Sequence, residues 1–495
     1  MIIKIDKNRP LPMYIQIRDE IKRLIKEGKF NPHEKLPPSR DLAKSLNISR
    51  NTVIQSYTLL EAEGFVYSVT GKGTFVNPRS IKKVCKNPDN YDVKRFNFES
   101  LFSIAWRRFE ASVMSGLDKL TSYDNFKDYI TFDSPNPDIE NLPIENFRNS
   151  LINSIKKYEA QLFSSEKTEG FYQFREYLSK YMLKRGIYSD PDNILITSGI
   201  QQGLSIIGRL LIDPGDTVVL ENLSYPGALS VFRSIQAHYI GVPGDKEGMD
   251  INILEKILKR KKVKLLYTIP TYQNPRGSVL SFDRRKALVE LSEKYGFAII
   301  EDDYAYELSF KGIEEIPIKA FDVSGNIFYM GSFSESLFPG IRLSWIIAPK
   351  HIIKKLSSLK KSEDIYTNLI LQAAVLDFME KGYFNKHLKQ FKKILAKRYE
   401  VINYALTRYF PTEAKWNSIK GGPYMWIDLP SDIDSLDLLL KTREKGVLFA
   451  PDRIFAVEDL GHSGFRLKFS NVNEDKIWRG IEIIGNILKS MLSGG

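Results

Sequence analysis

The sequence predicts an α/β protein with two folding units: a small helical module ending in a two-stranded ribbon, and a large domain on a mainly parallel sheet. Three observations predict this class. At 495 residues the chain is too long for one compact module. Its first 76 residues combine short amphipathic helices with a glycine-centred hairpin, and beyond residue 125 β-branched runs alternate with helical stretches. The predicted boundaries are 1–76 for the small module, 77–125 for a linker and 126–495 for the large domain.

The composition excludes several classes of protein. Hydrophobic residues make up 43% and aromatic residues 12% of the chain, which is enough for a sizeable core and excludes global disorder. No apolar run approaches the ~18 residues of a transmembrane helix, and the charged amino terminus is unlike a signal peptide. The single cysteine, Cys85, allows no internal disulfide, and the five histidines are spaced unlike a metal site. We therefore expect a cytoplasmic protein without a bound metal.

The net charge of +12 is unevenly distributed. Residues 1–80 hold 14 Lys or Arg and 8 Asp or Glu, a net charge of +6 in less than a fifth of the chain. The other 415 residues hold 58 basic and 52 acidic side chains, also a net charge of +6. A basic module attached to a nearly neutral body is typical of nucleic-acid binding, although a solvated basic face would give the same count.

In the small module, apolar residues at helical spacing predict helices over 12–26, 40–46 and 50–63. The last two are short and joined by a tight turn, which is typical of a helix-turn-helix. Two β-branched and aromatic runs, 65–68 and 74–76, flank a glycine turn and predict a wing.

Four segments of this module carry a specific resemblance. In chain order they are Leu36-Pro-Pro-Ser-Arg-Asp-Leu-Ala43, Ile48-Ser-Arg-Asn-Thr-Val53, Leu60-Glu-Ala-Glu-Gly64 and Gly71-Lys-Gly-Thr-Phe75. Together they resemble the GntR-type winged helix of bacterial regulators. The resemblance implies a double-stranded DNA operator as the partner; a winged domain used for protein contact is the alternative.

The first turn of a recognition helix meets the base edges of DNA, and here Arg50, Asn51 and Thr52 occupy that turn. Arg50 is long enough for a bidentate contact with guanine, and Thr52 suits a phosphate or a thymine methyl group. Arg40 in the preceding helix is placed for the DNA backbone, and Lys72 at the tip of the wing for a phosphate or the minor groove. These five residues are the predicted DNA-binding set.

The chain from 77 to about 98 is polar and rich in helix breakers, which indicates a linker. Residues 101–120 contain enough Phe, Trp, Ile and Met for a helix that docks on another surface. Beyond 125, six β-branched runs predict buried strands at 193–197, 217–221, 264–268, 297–301, 327–330 and 343–348. Helical patterns lie between several of them, as in a mainly parallel sheet.

Residues 130–490 resemble the fold-type I aminotransferases, which use pyridoxal phosphate (PLP). The resemblance rests on Ser198-Gly-Ile-Gln-Gln202, Asn222-Leu-Ser-Tyr-Pro226, Asn274-Pro-Arg-Gly277 and Glu301-Asp-Asp-Tyr304. It implies that Ser198, Gly199 and Ile200 cradle the cofactor phosphate at a helix amino terminus. It further implies that Tyr225 stacks on the ring, that Asn274 and Tyr304 reach the phenolic oxygen, and that Asp302 pairs with the pyridine nitrogen.

The segment Gly331-Ser-Phe-Ser-Glu-Ser-Leu-Phe-Pro-Gly-Ile-Arg342 matches the family's cofactor-lysine segment except at one position. Ser332, Ser334 and Arg342 fall at phosphate-binding positions, but Glu335 stands where the lysine is expected. A carboxylate cannot form the Schiff base, and 326–348 contain no lysine. We therefore expect no catalytic residue and no internal aldimine, so that PLP or pyridoxamine phosphate (PMP), if bound, is held noncovalently. A lysine replaced for crystallography is the alternative explanation.

Other positions also bear on the ligand. Ser134 stands where the family commonly has Gly, and the family's subunit-bridging Tyr is missing from the residues before Gly170. By the same resemblance Arg466 aligns with the arginine that binds the substrate carboxylate, the alternative being a surface arginine on a late strand. The Glu335 carboxylate would favour the ammonium group of PMP over the aldehyde of PLP.

A GntR-type winged helix, a linker and an aminotransferase-like domain together are the arrangement of the MocR subfamily of transcription regulators. The resemblance implies a homodimeric DNA-binding regulator whose large domain senses a small-molecule effector, such as PLP, PMP or an amino compound. Two alternatives remain: an active PLP-dependent aminotransferase with an appended DNA-binding domain, and a ligand-free scaffold that only dimerises.

Overall fold

The computed structural model describes residues 3, 5, 11–69, 71–78, 98–112, 129–134, 138–164, 167–312, 315–458 and 463–493. Cys85, His462, most of the predicted linker and the end of the predicted docking helix lie outside these ranges. The chain divides into two compact units, residues 1–101 and 102–495. No helix within the described ranges is long and apolar enough to span a membrane.

The small unit contains the predicted helices and ribbon. Its helices are Met13–Lys26, Ser39–Leu46 and Arg50–Ala62, and its antiparallel strands are Val66–Val69 and Gly73–Val76. The predicted helix-turn-helix with a wing is therefore confirmed. Its core is formed by one buried face of each helix and by the ribbon ends; fully buried members are Ile17, Ile21, Val53, Leu60 and Val76.

The large unit contains most of the helices and a central sheet. Its helices are Ile104–Ser112, Ile144–Tyr158, Tyr172–Leu183, Ile200–Leu211, Pro226–Ser234, Ile251–Leu258, Phe282–Tyr295, Lys350–Lys361, Leu369–Glu380, Tyr383–Tyr409, Ser435–Glu444 and Glu474–Ser493. The first of these covers part of the predicted docking helix. It lies on the body of this unit, where Arg108 Nη1 donates to Gln236 Oε1 at 2.7 Å.

Seven strands among the described residues form the central sheet. Across the sheet they are Ile194–Thr197, Ser344–Ile347, Ile327–Ser332, Ala298–Asp303, Leu265–Thr268, Thr217–Glu221 and His238–Val242. All neighbours are parallel except Ser344–Ile347, which is antiparallel to both strands beside it. The predicted mainly parallel sheet is thus confirmed. The edge strand His238–Val242 was not predicted, because it is only partly buried and lacks a continuous apolar run.

A second, antiparallel sheet has the strand order Lys415–Trp416, Tyr424–Asp428, Gly464–Lys468 and Ala450–Pro451. Two short pairs complete the strands of this unit: Ile130–Thr131 with Val447–Leu448, and Gly244–Asp245 with Gly248–Met249. The second sheet matters for function because strand Gly464–Lys468 faces the carboxyl ends of the central strands. Ligand sites of open α/β sheets lie at those ends.

Candidate functional site

A cavity of about 380 Å³, called the ligand cavity below, lies where the central strands end. Eleven of the residues named from the sequence line it: Ser134, Ile200, Tyr225, Asn274, Asp302, Tyr304, Ser332, Ser334, Glu335, Arg342 and Arg466. Ser198 and Gly199 are not in the lining but lie against Arg342. Arg342 Nη2 is 3.4 Å from the Ser198 carbonyl oxygen, and a Cβ atom on Gly199 would collide with that guanidinium.

Asp302 is an acid of the cavity that forms no ion pair with a described residue. It is fully buried, and its Oδ2 accepts a hydrogen bond of 2.8 Å from the Tyr267 hydroxyl. Its Oδ1 has no hydrogen-bond partner among the described residues. Burial raises the pKa of this carboxyl to about 7. A buried carboxylate oxygen without a partner, open to a cavity, suits a ligand that brings an N–H donor, such as a protonated pyridine nitrogen.

The acids on either side of Asp302 have structural roles. Glu301 accepts hydrogen bonds of 2.7 Å from the amides of Ile318 and Lys319. Asp303 accepts one of 2.9 Å from the Tyr329 hydroxyl. Of the three consecutive acids, therefore, Asp302 is the one that lines the cavity. Across the described ranges, no cluster of three or more His, Cys, Asp or Glu side chains could hold a metal ion.

The aromatic and amide groups named from the sequence have partners inside the protein. The Tyr304 hydroxyl donates to the Tyr272 carbonyl oxygen at 2.9 Å, and its ring stacks on Tyr424 with centroids 6.2 Å apart. Asn274 Oδ1 accepts from Arg466 Nη1 at 2.8 Å, which leaves the Asn274 Nδ2 group for a ligand. Burial raises the pKa of the Tyr225 hydroxyl, so that this ring stays neutral.

Arg342 and the serines form the candidate phosphate-binding end of the cavity. Arg342 has a φ of 48°, which places a non-glycine residue in the left-handed region. Its guanidinium makes no ion pair with any described carboxylate. Ser332 Oγ lies 3.1 Å from Ser334 Oγ, whereas Ser198 Oγ donates to Asp364 Oδ2 at 3.1 Å. The helix Ile200–Leu211 begins beside them, and its free amides favour an anion.

Glu335 faces a lysine that sequence reasoning missed. Lys468 Nζ donates to Glu335 Oε1 at 3.0 Å, and the Tyr424 hydroxyl lies 3.4 Å from the same oxygen. Lys468 is buried and lines the cavity. A signal for it existed, because residues two apart on a strand share a face and Arg466 was already assigned to the ligand.

Arg466 is buried in the cavity wall rather than on the surface. Its Nη2 forms an ion pair with Asp133 Oδ1, and its Nη1 donates to Asn274. The guanidinium carbon lies 4.2 Å from the ring centroid of Tyr424 and 4.7 Å from that of Phe455. The alternative of a surface arginine is therefore wrong. Asp133 has no signal of its own in the sequence; it enters the site only through the fold.

The predicted DNA-binding residues belong to helix Ser39–Leu46, helix Arg50–Ala62 and the turn of the ribbon. Arg40, Arg50, Asn51 and Lys72 are exposed, while Thr52 is half-buried. The Thr52 amide donates to Ser49 Oγ at 3.2 Å, so that Ser49 caps helix Arg50–Ala62, called the recognition helix below. The exposed face continues along that helix through residues that sequence reasoning did not name: Ile54, Gln55 and Thr58. Their spacing of three, four and seven residues from Asn51 was an available signal.

Two family models match the chain. Residues 13–76 match the gntR family of bacterial regulatory proteins, and residues 130–484 match aminotransferase class I and II. The chain belongs to the aminotransferase class I and II family and carries an amino-terminal GntR domain. This is the domain arrangement of MocR-type transcription regulators.

Relatives with both domains include two proteins named as regulators. The uncharacterized HTH-type transcriptional regulator YdfD of Bacillus subtilis is 30% identical, over 98% of each chain. The probable rhizopine catabolism regulatory protein MocR of Rhizobium meliloti is 26% identical, over 100% of this chain and 97% of the relative. A crystal structure of Pyrococcus horikoshii kynurenine aminotransferase in complex with PMP is 36% identical, with a TM-score of 0.75. It covers 80% of this chain and 98% of its own.

Proposed function

We propose that this chain is a homodimeric DNA-binding regulator that binds a phosphorylated pyridine ligand, PLP or PMP, and forms no covalent bond with it. The observation that carries the proposal is the cavity itself. It keeps an acceptor and a cation for such a ligand, but its one described lysine is held by a carboxylate.

The residues that line the cavity fit PLP or PMP. Asp302 Oδ1 is the buried acceptor without a described partner, suited to the ring nitrogen. Arg342, with no described carboxylate against it, and the amino terminus of helix Ile200–Leu211 would hold the phosphate. Tyr225 would lie against the ring. When bound, PLP supplies an electron sink in its ring, and Asp302 would keep the ring nitrogen protonated.

The noncovalent mode follows from Glu335 and Lys468. Lys468 Nζ is hydrogen-bonded to the Glu335 carboxylate at 3.0 Å, so that an attack on an aldehyde would first have to break this ion pair. Glu335 stands, by resemblance, where the family has its lysine. Since Glu335 is already paired with an ammonium group, we no longer expect it to select strongly for PMP; both vitamers would bind with similar affinity.

The active aminotransferase remains the second candidate, and one observation favours it. The kynurenine aminotransferase structure is more similar in sequence, at 36%, than the full-length regulator YdfD, at 30%. The fold alone does not distinguish an active aminotransferase from a regulator, because one fold carries many functions. The ion pair between Lys468 and Glu335 and the exposed recognition helix support the regulator.

The test combines two measurements on the full-length protein. Double-stranded fragments selected from random DNA should compete better than scrambled duplexes of equal length, and adding PLP or PMP should shift the affinity for the selected site. Transamination with a panel of amino and keto acids should stay at the rate of a ligand-only blank. If the protein catalyses transamination and does not bind DNA sequence-specifically, the active aminotransferase replaces the proposed regulator.

A further inference from the structure

We propose that Asp133 occupies the carboxylate-binding side of the ligand cavity, so that the cavity takes a phosphorylated pyridine vitamer and rejects the conjugate of that vitamer with an amino acid. The inference rests on the proposed function, since it defines the ligand class of the same cavity. It assigns Asp133 as a residue that determines specificity.

The guanidinium of Arg466 has the chemistry of a carboxylate receptor. It is planar, buried and part of the cavity wall, and such a group recognises carboxylates through two parallel N–H donors. Each terminal nitrogen already donates one hydrogen bond, one to Asp133 Oδ1 and the other to Asn274 Oδ1, and the Asp133 carboxylate balances the charge of the guanidinium. The rings of Tyr424 and Phe455 lie close to the guanidinium as well. A ligand carboxylate would therefore have to share this cation with Asp133 or displace it.

The backbone holds Asp133 in this place. The carbonyl of the preceding residue, Phe132, accepts from the Lys468 amide at 2.7 Å, and the Phe132 amide donates to the Leu448 carbonyl at 2.8 Å. The Phe132 ring is fully buried. The side chains of Asp133 and Arg466 are only 14% and 10% exposed, so displacing Asp133 would strand a poorly solvated carboxylate.

The remaining charges of the cavity point to the same ligand class. Lys468 and Glu335 form a second internal pair, which cancels in net charge. Among the described lining residues, Arg342 is left as the cation without a carboxylate partner and Asp302 Oδ1 as the acceptor without a donor. One phosphate and one ring N–H satisfy both groups. An additional ligand carboxylate has no free cation to meet.

The test is calorimetric titration of the full-length protein with PMP and with N-(5′-phosphopyridoxyl)-L-alanine. The wild type should bind PMP at least about tenfold more tightly than the conjugate. Asp133→Ala frees Arg466 and should improve binding of the conjugate by about tenfold or more, while PMP affinity changes by less than about threefold. Asp133→Asn, which keeps a hydrogen-bond acceptor for Arg466 and loses only the charge, should shift the conjugate in the same direction by a smaller factor.

A matched control is Asp245→Ala, which removes the carboxylate partner of Arg284 outside the ligand cavity and should leave both affinities unchanged. Equal binding of the two probes by the wild type, or no gain in either Asp133 variant, would overturn the inference while leaving the proposed function in place. If neither probe binds any of the proteins, the proposed function itself fails. If Asp133→Ala does not fold, Asp133→Asn decides alone.

Discussion

In the small unit, Arg40, Arg50 and Lys72 extend into solvent and pair with no described carboxylate, whereas Arg466 and Lys468 of the ligand cavity are each held by a carboxylate of the same chain. The first arrangement leaves cations available to a polyanion such as DNA, whose phosphates attract them without strict geometry. The pairing of Arg466 and Lys468 with carboxylates makes most of the cavity's positive charge unavailable to a ligand. The ligand must therefore match the unpaired groups of the cavity, Arg342 and Asp302. Residue type alone therefore does not define a binding group; the partner of that residue inside the chain does.

The largest effect is expected at Arg342, the cation of the ligand cavity that pairs with no described carboxylate. Arg342→Ala should weaken PMP binding by roughly 1.5–3 kcal/mol, because it removes charge-assisted hydrogen bonds to the phosphate. Titration calorimetry measures the change. Arg479→Ala, a change of an exposed arginine on helix Glu474–Ser493, is the matched control and should have no effect. Unchanged PMP affinity in Arg342→Ala would show that the phosphate is held elsewhere.

The exposed cations of the small unit are tested at Arg50. Arg50→Ala should weaken binding to a selected operator by about 1–3 kcal/mol while changing nonspecific binding less, because a base contact carries sequence information. Fluorescence anisotropy on matched specific and scrambled duplexes measures both. If operator affinity is unchanged, Arg50 does not read a base, and the recognition would have to come from the Asn51 and Gln55 face.

Asp302 provides a pH-dependent test of burial. Its folded pKa of about 7 lies above the unfolded value of about 3.9, so the folded protein keeps a proton that the unfolded chain loses between these values. Stability from this group is therefore lost as pH rises from about 4 to 7. Asp302→Asn removes that loss, and between pH 5 and 8 the variant should gain roughly 2–3 kcal/mol relative to the ligand-free wild type. Denaturant unfolding of the large unit at both pH values measures it; a pH-independent difference would place the Asp302 pKa near its ordinary value.

The smallest expected effect concerns Lys72 at the tip of the wing. Lys72→Ala should weaken specific and scrambled duplexes about equally, and the slope of log affinity against log salt should fall by about one. Titrations at several salt concentrations measure the slope. Loss of discrimination between the two duplexes, with an unchanged slope, would instead assign Lys72 to base recognition.

The fold could be predicted because its signals are local. The helices of the small unit, the central strands and the turns after them each carry their pattern within about ten residues, as at Ser198 and Asp302. The ion pairs inside the cavity could not be predicted in this way. Glu335 and Lys468 are 133 residues apart in the sequence, and Asp133 and Arg466 are 333 apart. They meet only because the second sheet brings strand Gly464–Lys468 to the ends of the central strands. The sequence around Glu335 contains no lysine, but in the folded chain Lys468 lies beside Glu335.

Intact-mass analysis after borohydride reduction measures whether the cavity holds its ligand without a covalent bond. Full-length wild type incubated with PLP at neutral pH, reduced and denatured should keep its unmodified mass. Glu335→Lys, which places an amine at the family's lysine position, is the positive control and should gain one phosphopyridoxyl group. A reduced adduct on the wild type would contradict the account, and if peptide mapping located it on Lys468, the lysine beside Glu335 would be the reactive amine of the site.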